Sequence, residues 1–223
     1  MEIKAINFDF YGTLMNWLPV WEKVAAKIIN EHDLKISAKE LAIEWRKAQR
    51  QFVEAMEFTP YKEVITLGLN LICEKYGIKN NEYHEILFRK WKEIMPFPEV
   101  GEVLKNLKSK YPLAVCTNSS RDLFDVSVGK LPISFNNIII SDETKVNKPN
   151  QGLYQKAIKA LGFSPENILH IASSQMDVRG ATKAGFVVCW INRLNEQLTP
   201  ETPKPMFEIT KLDEVLDIFS DNL

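Results

Sequence analysis

The chain has 223 residues, a formal net charge of −1 at pH 7 and three cysteines. A nearly neutral chain gives no electrostatic reason to expect binding to nucleic acid or to an anionic membrane surface. The length suits one α/β unit with an insertion, or two modest domains, and it supports a sizeable core.

The three cysteines are too scattered to form a metal-ligand pair. Cys116 and Cys189 lie inside apolar, strand-like segments and are most simply reduced core residues. The first residues lack the apolar segment of a secretory signal, and no apolar stretch is long enough to span a bilayer. We therefore expect a cytoplasmic protein.

The first predicted element is a buried strand that ends at an acid. Apolar residues in segment 3–8 predict this strand, which stops at Asp9, and Gly12 then turns the chain. An acid in this position can cap the following turn through its side chain. It also lies where open α/β sheets place their functional sites, at the carboxyl ends of the strands.

Residues 16–95 show helical periodicity and no convincing strand. Ser37 and Glu40 form a capping box that opens one of these helices, predicted to extend to Phe52. The segment is far too long for an ordinary connection, so we predict an inserted helical domain. Segment 95–98 is predicted to be a stiff linker back to the core, because its prolines prevent a helix from continuing.

The rest of the chain alternates between strands and helices, which predicts a parallel sheet with right-handed crossovers. Pro149 suits the first turn of one helix, and Gly162 would end that helix. The predicted core domain comprises residues 1–15 and 96–223. Its predicted strands cover 113–117, 137–141, 168–171 and 186–191, and its helices cover about 99–110, 120–129, 149–161, 177–184 and 211–220.

Polar residues recur where these strands end. Each alone has a structural explanation, as a helix cap or a solvated charge. Because parallel strands end at the same edge of a sheet, we expect the residues to converge on one site. They are Asp9, Thr117, Asn118, Lys148, Ser173, Ser174 and Asp177.

Three other polar side chains have ordinary explanations. His170 lies in the middle of a predicted strand and is interpreted as a hydrogen-bonded core residue. Arg46 lies on a charged amphipathic helix, where spacing alone predicts a solvated or ion-paired side chain. Tyr154 can pack its ring under the sheet.

These motifs together resemble the haloacid dehalogenase superfamily, and more narrowly the L-2-haloacid dehalogenases, over nearly the whole chain. The opening motif spans Phe8–Leu14 and carries Tyr11 where the superfamily's phosphatases carry a second Asp. The resemblance implies a Rossmann-like core with the helical segment 16–95 as its cap. Further matches are Trp45-Arg46 with Gln49, Thr117-Asn118, Lys148-Pro149 followed by Tyr154, Asp177 with Gly180-Ala181, and Cys189-Trp190-Ile191-Asn192-Arg193.

The resemblance implies hydrolysis of small L-2-haloacids to D-2-hydroxy acids through an aspartyl ester formed on Asp9. Arg46 and Asn118 would hold the halide, Thr13 would orient Asp9, and Tyr154 would support Lys148. The implied catalytic residues are Asp9, Lys148, Asp177, Thr13 and Arg46, and the implied substrate-binding residues are Phe10, Tyr11, Arg46, Thr117, Asn118, Ser173, Ser174 and Tyr154.

We expect neither a metal nor a cofactor. Ser173 stands where a metal-binding acid is expected, and the two remaining carboxylates would hold a hard divalent ion weakly. Their mutual repulsion, about 4 kcal/mol at an effective dielectric of 20, can be offset by Lys148. Asp142 and Glu143 are further acids that could assist a metal. The expected partner is a small 2-halo carboxylic acid, without nucleic acid or membrane, and the sequence leaves open whether the cap forms a homodimer.

The sequence also departs from the family pattern at Asn147, Ala172, Ser174 and Met176, which leaves the substrate open. A Mg²⁺-dependent phosphatase is one alternative, and Tyr11 argues against it. A non-catalytic scaffold is another. The retained Asp9, Lys148 and Asp177 argue against that, because a buried charge cluster costs stability.

Overall fold

The computed structural model describes residues 2–55, 57–79 and 82–220. Its α-helices are α1 (Leu18–His32), α2 (Ala38–Ala48), α3 (Arg50–Val53), α4 (Tyr61–Lys75), α5 (Tyr83–Lys90), α6 (Val100–Lys108), α7 (Arg121–Val128), α8 (Ser141–Thr144), α9 (Gln151–Leu161), α10 (Gln175–Lys183) and α11 (Val215–Ser220). Its strands are β1 (Ala5–Phe8), β2 (Met15–Asn16), β3 (Met95–Pro96), β4 (Leu113–Thr117), β5 (Asn137–Ile140), β6 (Ile168–Ala172), β7 (Val187–Ile191) and β8 (Phe207–Ile209). Short 3₁₀ turns cover Trp91–Glu93, Pro165–Asn167 and Leu212–Glu214.

The main sheet has six strands in the order β5-β4-β1-β6-β7-β8, and every neighbouring pair is parallel. Strands β1, β4, β6 and β7 are buried along their whole length, as expected of a parallel sheet covered by helices on both faces. Phe8 is in register with Val115 on one side and with Ile171 on the other. The strands on either side of β1 therefore end at the same edge as β1, and the predicted fold class is confirmed.

The helical insertion leaves and rejoins the sheet at one point. Strands β2 and β3 pair antiparallel, with Met15 opposite Pro96. The chain is not helical at residues 95–98, as predicted, and Met95 and Pro96 form a two-residue strand within the predicted linker. Helices α1 to α5 lie between the two strands and share a core in which the rings of Trp21 and Trp45 lie 4.6 Å apart. The division into two domains at these residues stays a prediction.

Two helix predictions need correction. The capping box of Ser37 and Glu40 is present, but the helix that it opens ends at Ala48, and α3 begins only after Gln49. Helix α9 begins at Gln151, because the side chain of Asn150 caps it by accepting a hydrogen bond from the Gly152 amide. Pro149 thus precedes the helix instead of lying in its first turn, and the Lys148–Pro149 peptide bond is cis. Gly162 ends α9 with a φ of 76°, as predicted.

No helix in the described ranges is long and apolar enough to cross a membrane. The three cysteines, Cys73, Cys116 and Cys189, are buried. Burial raises the pKa of the Cys116 thiol to about 12. Both strand cysteines therefore lie in the core, as the sequence predicted.

Helices α9 and α10 approach closely because Gly180 has no side chain. A Cβ atom on Gly180 would lie 2.7 Å from the ring carbon Cζ of Tyr154, a distance that ordinary packing does not allow. By contrast, a Cβ on Gly101 in α6 would meet Pro132 at 3.6 Å, which is ordinary van der Waals contact. The two helical glycines therefore provide a matched pair.

We expect Gly180→Ala to lower the free energy of unfolding by about 1–3 kcal/mol, because Tyr154 has to move to make room. Gly101→Ala should leave it unchanged or raise it by up to about 1 kcal/mol, since alanine favours the helix. Urea unfolding of both variants measures the difference. Equal effects of the two substitutions would contradict this packing.

Candidate active site

The loop after β1 folds back onto the end of β6. The Asp9 amide donates to the carbonyl oxygen of Ile171 at 2.9 Å, which continues the strand pairing by one residue. Gly12 has a φ of 94°, and a Cβ there would lie 2.7 Å from Ser173 Oγ. Only glycine fits both the backbone conformation and the space at this turn. The turn carries Asp9 and Thr13 to the edge of the sheet.

Two neighbours fix the carboxylate of Asp9. Thr13 Oγ1 donates to Asp9 Oδ2 at 3.0 Å, and Lys148 Nζ donates to Asp9 Oδ1 at 2.6 Å. Thr13 Oγ1 also accepts from the backbone amide of Ser173 at 3.0 Å. Asp9 is only 8 % exposed. Its orientation is thus set from β1, β6 and the segment before α9 together.

The ammonium group of Lys148 bridges two carboxylates. Its Nζ lies 2.6 Å from Asp9 Oδ1 and 2.5 Å from Asp177 Oδ2, and Lys148 is 2 % exposed. Asn118 fixes the backbone of the lysine, since Oδ1 accepts from the Lys148 amide at 2.7 Å and Nδ2 donates to its carbonyl at 3.1 Å. The buried charge is therefore paired on both sides.

Asp177 is held in the first turn of α10. Ser174 caps this helix, and its Oγ accepts from the Asp177 amide. The second carboxylate oxygen, Oδ1, accepts from Tyr154 Oη at 2.8 Å and from His170 Nε2 at 3.0 Å. Asn7 Nδ2 lies 2.8 Å from His170 Nδ1 and donates to it, which leaves Nε2 to donate to Asp177. His170 is a hydrogen-bonded core residue, as predicted, and in addition it orients Asp177.

The charges in this cluster stabilise one another. Burial alone would lower the pKa of Lys148, but the carboxylates of Asp177 and Asp9 outweigh it and raise that pKa. Burial alone would raise the pKa of Asp177, but Lys148 and His170 outweigh it and hold that pKa well below its usual range. Burial and the charge of Asp177 raise the pKa of Tyr154. Lysine and aspartate therefore stay ionised, and the tyrosine stays neutral, at physiological pH.

A cavity of about 370 Å³ opens between the helical insertion and this edge of the sheet. Arg46 reaches it from α2, with Nη1 donating to Gln49 Oε1 at 2.9 Å and approaching Tyr61 Oη at 3.4 Å. The Arg46 guanidinium also lies over the ring of Trp17. The predicted site residues that line the cavity are Tyr11, Arg46, Asn118, Ser173 and Ser174.

The structure does not bring every predicted substrate-binding side chain to the cavity. Phe10 is fully buried and packs on Phe124, with ring centroids 4.6 Å apart. Thr117 is buried as well, and its hydroxyl makes only a long hydrogen bond, 3.5 Å, to the carbonyl of the next residue. Neither side chain belongs to the cavity wall, and Tyr154, predicted in the same set, does not line the cavity either. Phe10 and Thr117 could therefore contact a substrate only through their backbone atoms. The roles of the other residues stay predictions.

Tyr11 uses its hydroxyl away from the site. The hydroxyl donates to the carbonyl of Leu123 at 2.9 Å and accepts from Trp91 Nε1 at 2.8 Å. Burial raises its pKa. Tyr11 still lines the cavity with part of its surface, but its hydroxyl ties the turn after β1 to α7 and to the end of the insertion.

Sequence reasoning missed several residues around the site. Tyr61 is buried with its hydroxyl 3.4 Å from Arg46 Nη1, and no motif marks it. Trp190 Nε1 donates to the carbonyl of Ser173, and Arg193 Nη2 donates to that of Thr13, both at 3.0 Å. The resemblance at Cys189–Arg193 gives no role for Trp190 or Arg193. Both side chains hold the two loops that carry the site.

The donor set does not suit a magnesium ion. All four carboxylate oxygens of Asp9 and Asp177 already accept hydrogen bonds. Asp142 accepts from the Tyr61 amide, and Glu143 pairs with Arg121, so neither joins the two carboxylates. Within residues 2–55, 57–79 and 82–220, no three His, Cys, Asp or Glu side chains are grouped to hold a metal ion. Lysine supplies the positive charge that a metal would bring.

Known proteins share both the sequence pattern and the fold. Residues 3–185 match the family model of the haloacid dehalogenase-like hydrolases. The chain is 28 % identical to (S)-2-haloacid dehalogenase 2 of Pseudomonas sp. (strain CBS-3), over 98 % of this chain and 96 % of that protein. It is 26 % identical to haloacetate dehalogenase H-2 of Moraxella sp. (strain B), over 98 % and 99 % of the two chains. The structure of L-2-haloacid dehalogenase from Xanthobacter autotrophicus, with chloropropionic acid covalently bound, superposes with a TM-score of 0.83 at 20 % identity, over 98 % of each chain.

We expect Lys148→Met to lower the free energy of unfolding by about 3–5 kcal/mol at pH 7, because it leaves two buried carboxylates without a cation. Lys159→Met removes an exposed lysine from α9 and serves as the matched control. Urea unfolding at constant pH measures both variants. A loss no larger than that of the control would contradict the proposed pairing.

The cost of Lys148→Met should also grow with pH. In the native chain the depressed pKa of Asp177 contributes stability above about pH 4, and this contribution is lost as the pH falls through the folded pKa. Without the lysine, repulsion raises the pKa of the carboxylate pair, so the variant loses stability as the pH rises. The difference in unfolding free energy between native and variant chains should widen from about pH 5 to pH 7. A constant difference would contradict this assignment.

Proposed function

The chain belongs to the haloacid dehalogenase-like hydrolases, and from this premise we propose that it hydrolyses L-2-haloacids to D-2-hydroxy acids through an ester on Asp9. The observation that carries the proposal is the single ammonium of Lys148 shared by two buried carboxylates. That arrangement holds the Asp9 carboxylate in a fixed orientation without a metal. The Xanthobacter enzyme with covalently bound chloropropionic acid supports a covalent route.

In the first step a carboxylate oxygen of Asp9 attacks the carbon that bears the halogen. A carbon–oxygen bond forms while the carbon–halogen bond breaks, and the halide leaves with the electron pair. Thr13 holds one oxygen of Asp9 during this step, and Lys148 holds the other. The attack inverts the configuration at the substrate carbon, so an L-acid gives a D-product.

In the second step water attacks the carbonyl carbon of the Asp9 ester. Asp177 accepts one proton of that water. The leaving alkoxide takes up one proton to become the D-2-hydroxy acid, and the other proton is released to solvent as Asp9 returns to its carboxylate form. Tyr154 and His170 both bind Asp177 Oδ1, which fixes the plane of its carboxylate. Because water adds to Asp9 and not to the substrate, the configuration is inverted only once.

The departing halide needs donors in a pocket shielded from water. Arg46 lines the cavity with its guanidinium anchored by Gln49, and Nδ2 of Asn118 has a second hydrogen beyond the one donated to the Lys148 carbonyl. We assign the halide to these two side chains. Ser173, Ser174 and the backbone of residues 10–12 receive the substrate carboxylate. Segment 16–95 then acts as a cap over the core of residues 1–15 and 96–223.

Metal independence and a cytoplasmic location are part of the proposal. Hydrogen bonds already occupy the carboxylate oxygens that a phosphatase of this family would direct at Mg²⁺, which disfavours the phosphatase alternative. Cys116 and Cys189, which are buried thiols outside any disulfide, fit a reducing compartment. Retention of the paired charges disfavours a non-catalytic scaffold, since burying them has a cost in stability.

The deciding assay is halide release from L- and D-2-chloropropionate with EDTA present. We expect release from the L-isomer only, and Asp9→Asn should lower the rate by roughly a thousandfold or more because the nucleophile is lost. Asp125→Asn, an equal change of charge on the exposed face of α7, should retain the native rate.

Two results would overturn the proposal. One is halide release that depends on added Mg²⁺, and the other is full release by Asp9→Asn. A generic phosphate ester tested in parallel separates the main alternative, since a Mg²⁺-dependent phosphatase would hydrolyse it and lose that activity in EDTA.

A further inference from the structure

The cavity is larger than a small haloacid requires. It measures about 370 Å³. A 2-halopropionate occupies at most about 180 Å³ if each heavy atom is given the volume of one water molecule, about 30 Å³. About half of the cavity would then remain filled with water above such a substrate. A longer molecule is needed to displace that water.

The cavity wall offers an apolar surface for a longer carbon chain. Apolar side chains reach the wall from the helical insertion, from the start of α10 and from the loop after β7. One of them, Met176, stands where the family pattern has an aromatic residue. The apolar side chains include Leu18, Ile43, Val53, Met176 and Leu194.

The wall also carries an excess of positive charge. Lys39, Ile43, Arg46 and Lys47 recur in α2 at spacings of three and four residues, which places them on one face of that helix, and Arg50 follows in α3; all five line the cavity. Five cations line the cavity in all when Arg193 is included, against one carboxylate, Glu196. We call Lys39, Arg46, Lys47 and Arg50 the cationic wall of the cavity.

The cations of the cationic wall are not neutralised in the way that Arg193 is. Arg193 pairs with Glu99 at 2.7 Å. Among the described residues, Lys39, Lys47 and Arg50 have no carboxylate within ion-pair distance. Arg50 interacts with Glu201 only at longer range, and Glu201 lies 3.8 Å from Arg179.

A substrate with a single anionic group cannot pair with all of these cations. In the proposed mechanism Arg46 receives the halide, and the substrate carboxylate lies near Ser173 and Ser174 at the floor of the cavity. The three remaining cations, Lys39 and Lys47 of α2 and Arg50 of α3, line the same cavity and would attract a second anion. The apolar wall would contact the carbon chain that joins the two anionic groups.

We propose that the preferred substrate is a 2-halo dicarboxylic acid whose second carboxylate binds the cationic wall at Lys39, Lys47 and Arg50. This inference rests on the proposed function, because it names the substrate of the same site. The volume that a small haloacid leaves unfilled has room for several carbons between the two carboxylates, as in 2-bromohexanedioic acid. Small 2-haloacids then fill only the floor of the cavity.

The kinetic test compares L-2-bromohexanedioate with L-2-bromohexanoate, which has the same chain length and lacks the second carboxylate. We expect kcat/KM for the diacid to be at least about tenfold higher at low ionic strength, as for a ligand anion held by a few unscreened cations. The preference should shrink in about 0.5 M salt, where the Debye length is only a few ångströms. Equal values for the two acids at low salt would overturn the inference.

Two triple variants test whether Lys39, Lys47 and Arg50 cause the preference for the diacid. In the chain with Lys39→Ala, Lys47→Ala and Arg50→Ala the diacid preference should fall to about onefold, because the second carboxylate has lost its partners. The control chain carries Lys110→Ala, Lys156→Ala and Lys159→Ala, which remove the same charge from exposed positions outside the cavity wall. It should keep the preference. A preference that survives the first set or is lost in the second would contradict the assignment.

A binding measurement separates failure of the inference from failure of the proposed function. Hexanedioate and hexanoate carry no halogen, and Trp17 in the cavity wall allows titration by intrinsic fluorescence. Hexanedioate should bind about tenfold more tightly than hexanoate to the native chain. If no 2-haloacid releases halide while this preference holds, the proposed reaction fails and the diacid site stands. Equal binding overturns the diacid site even if halide is released.

Discussion

The active site depends on one buried cation between two carboxylates. Asp9 and Asp177 would repel each other by about 4 kcal/mol at an effective dielectric of 20, and Lys148 turns this repulsion into two ion pairs. A buried pair of charges is tolerated only when hydrogen bonds satisfy the remaining groups. Thr13 and Tyr154 do so for the two carboxylates. The loops after β1 and β6 and the segment before α9 therefore have to converge at the same edge of the sheet.

The helical insertion completes the site from the other side. The antiparallel pair of β2 and β3 holds its two ends together, so the insertion lies over the edge where the charges meet. The charged side chains that the insertion contributes differ from those of the sheet. The sheet supplies a nearly neutral, fully paired cluster, whereas α2 supplies cations that are only partly paired. In our account the residues at the edge of the sheet carry out the reaction, whereas the helical insertion determines which acid binds.

Much of this arrangement could be predicted from the sequence, because parallel strands place their ends together whatever the sequence distance. Asp9, Lys148 and Asp177 were found in this way, and the structure brings their side chains into direct contact. His170 was assigned to the core correctly, but its bond to Asp177 could not be predicted, since the direction of a mid-strand side chain depends on its neighbours. The hydrogen bonds of the Tyr11 hydroxyl could not be predicted either, because the place of Tyr11 in the motif does not show that Trp91 and Leu123 bind it.

The most direct test of the covalent mechanism follows the oxygen atom during turnover in H₂¹⁸O. In a single turnover with enzyme in excess, the 2-hydroxy acid should contain no ¹⁸O, because its new oxygen comes from Asp9. After many turnovers, mass spectrometry of the peptide that contains Asp9 should show ¹⁸O in its carboxylate. Label in the product of the first turnover, with none in Asp9, would contradict the account.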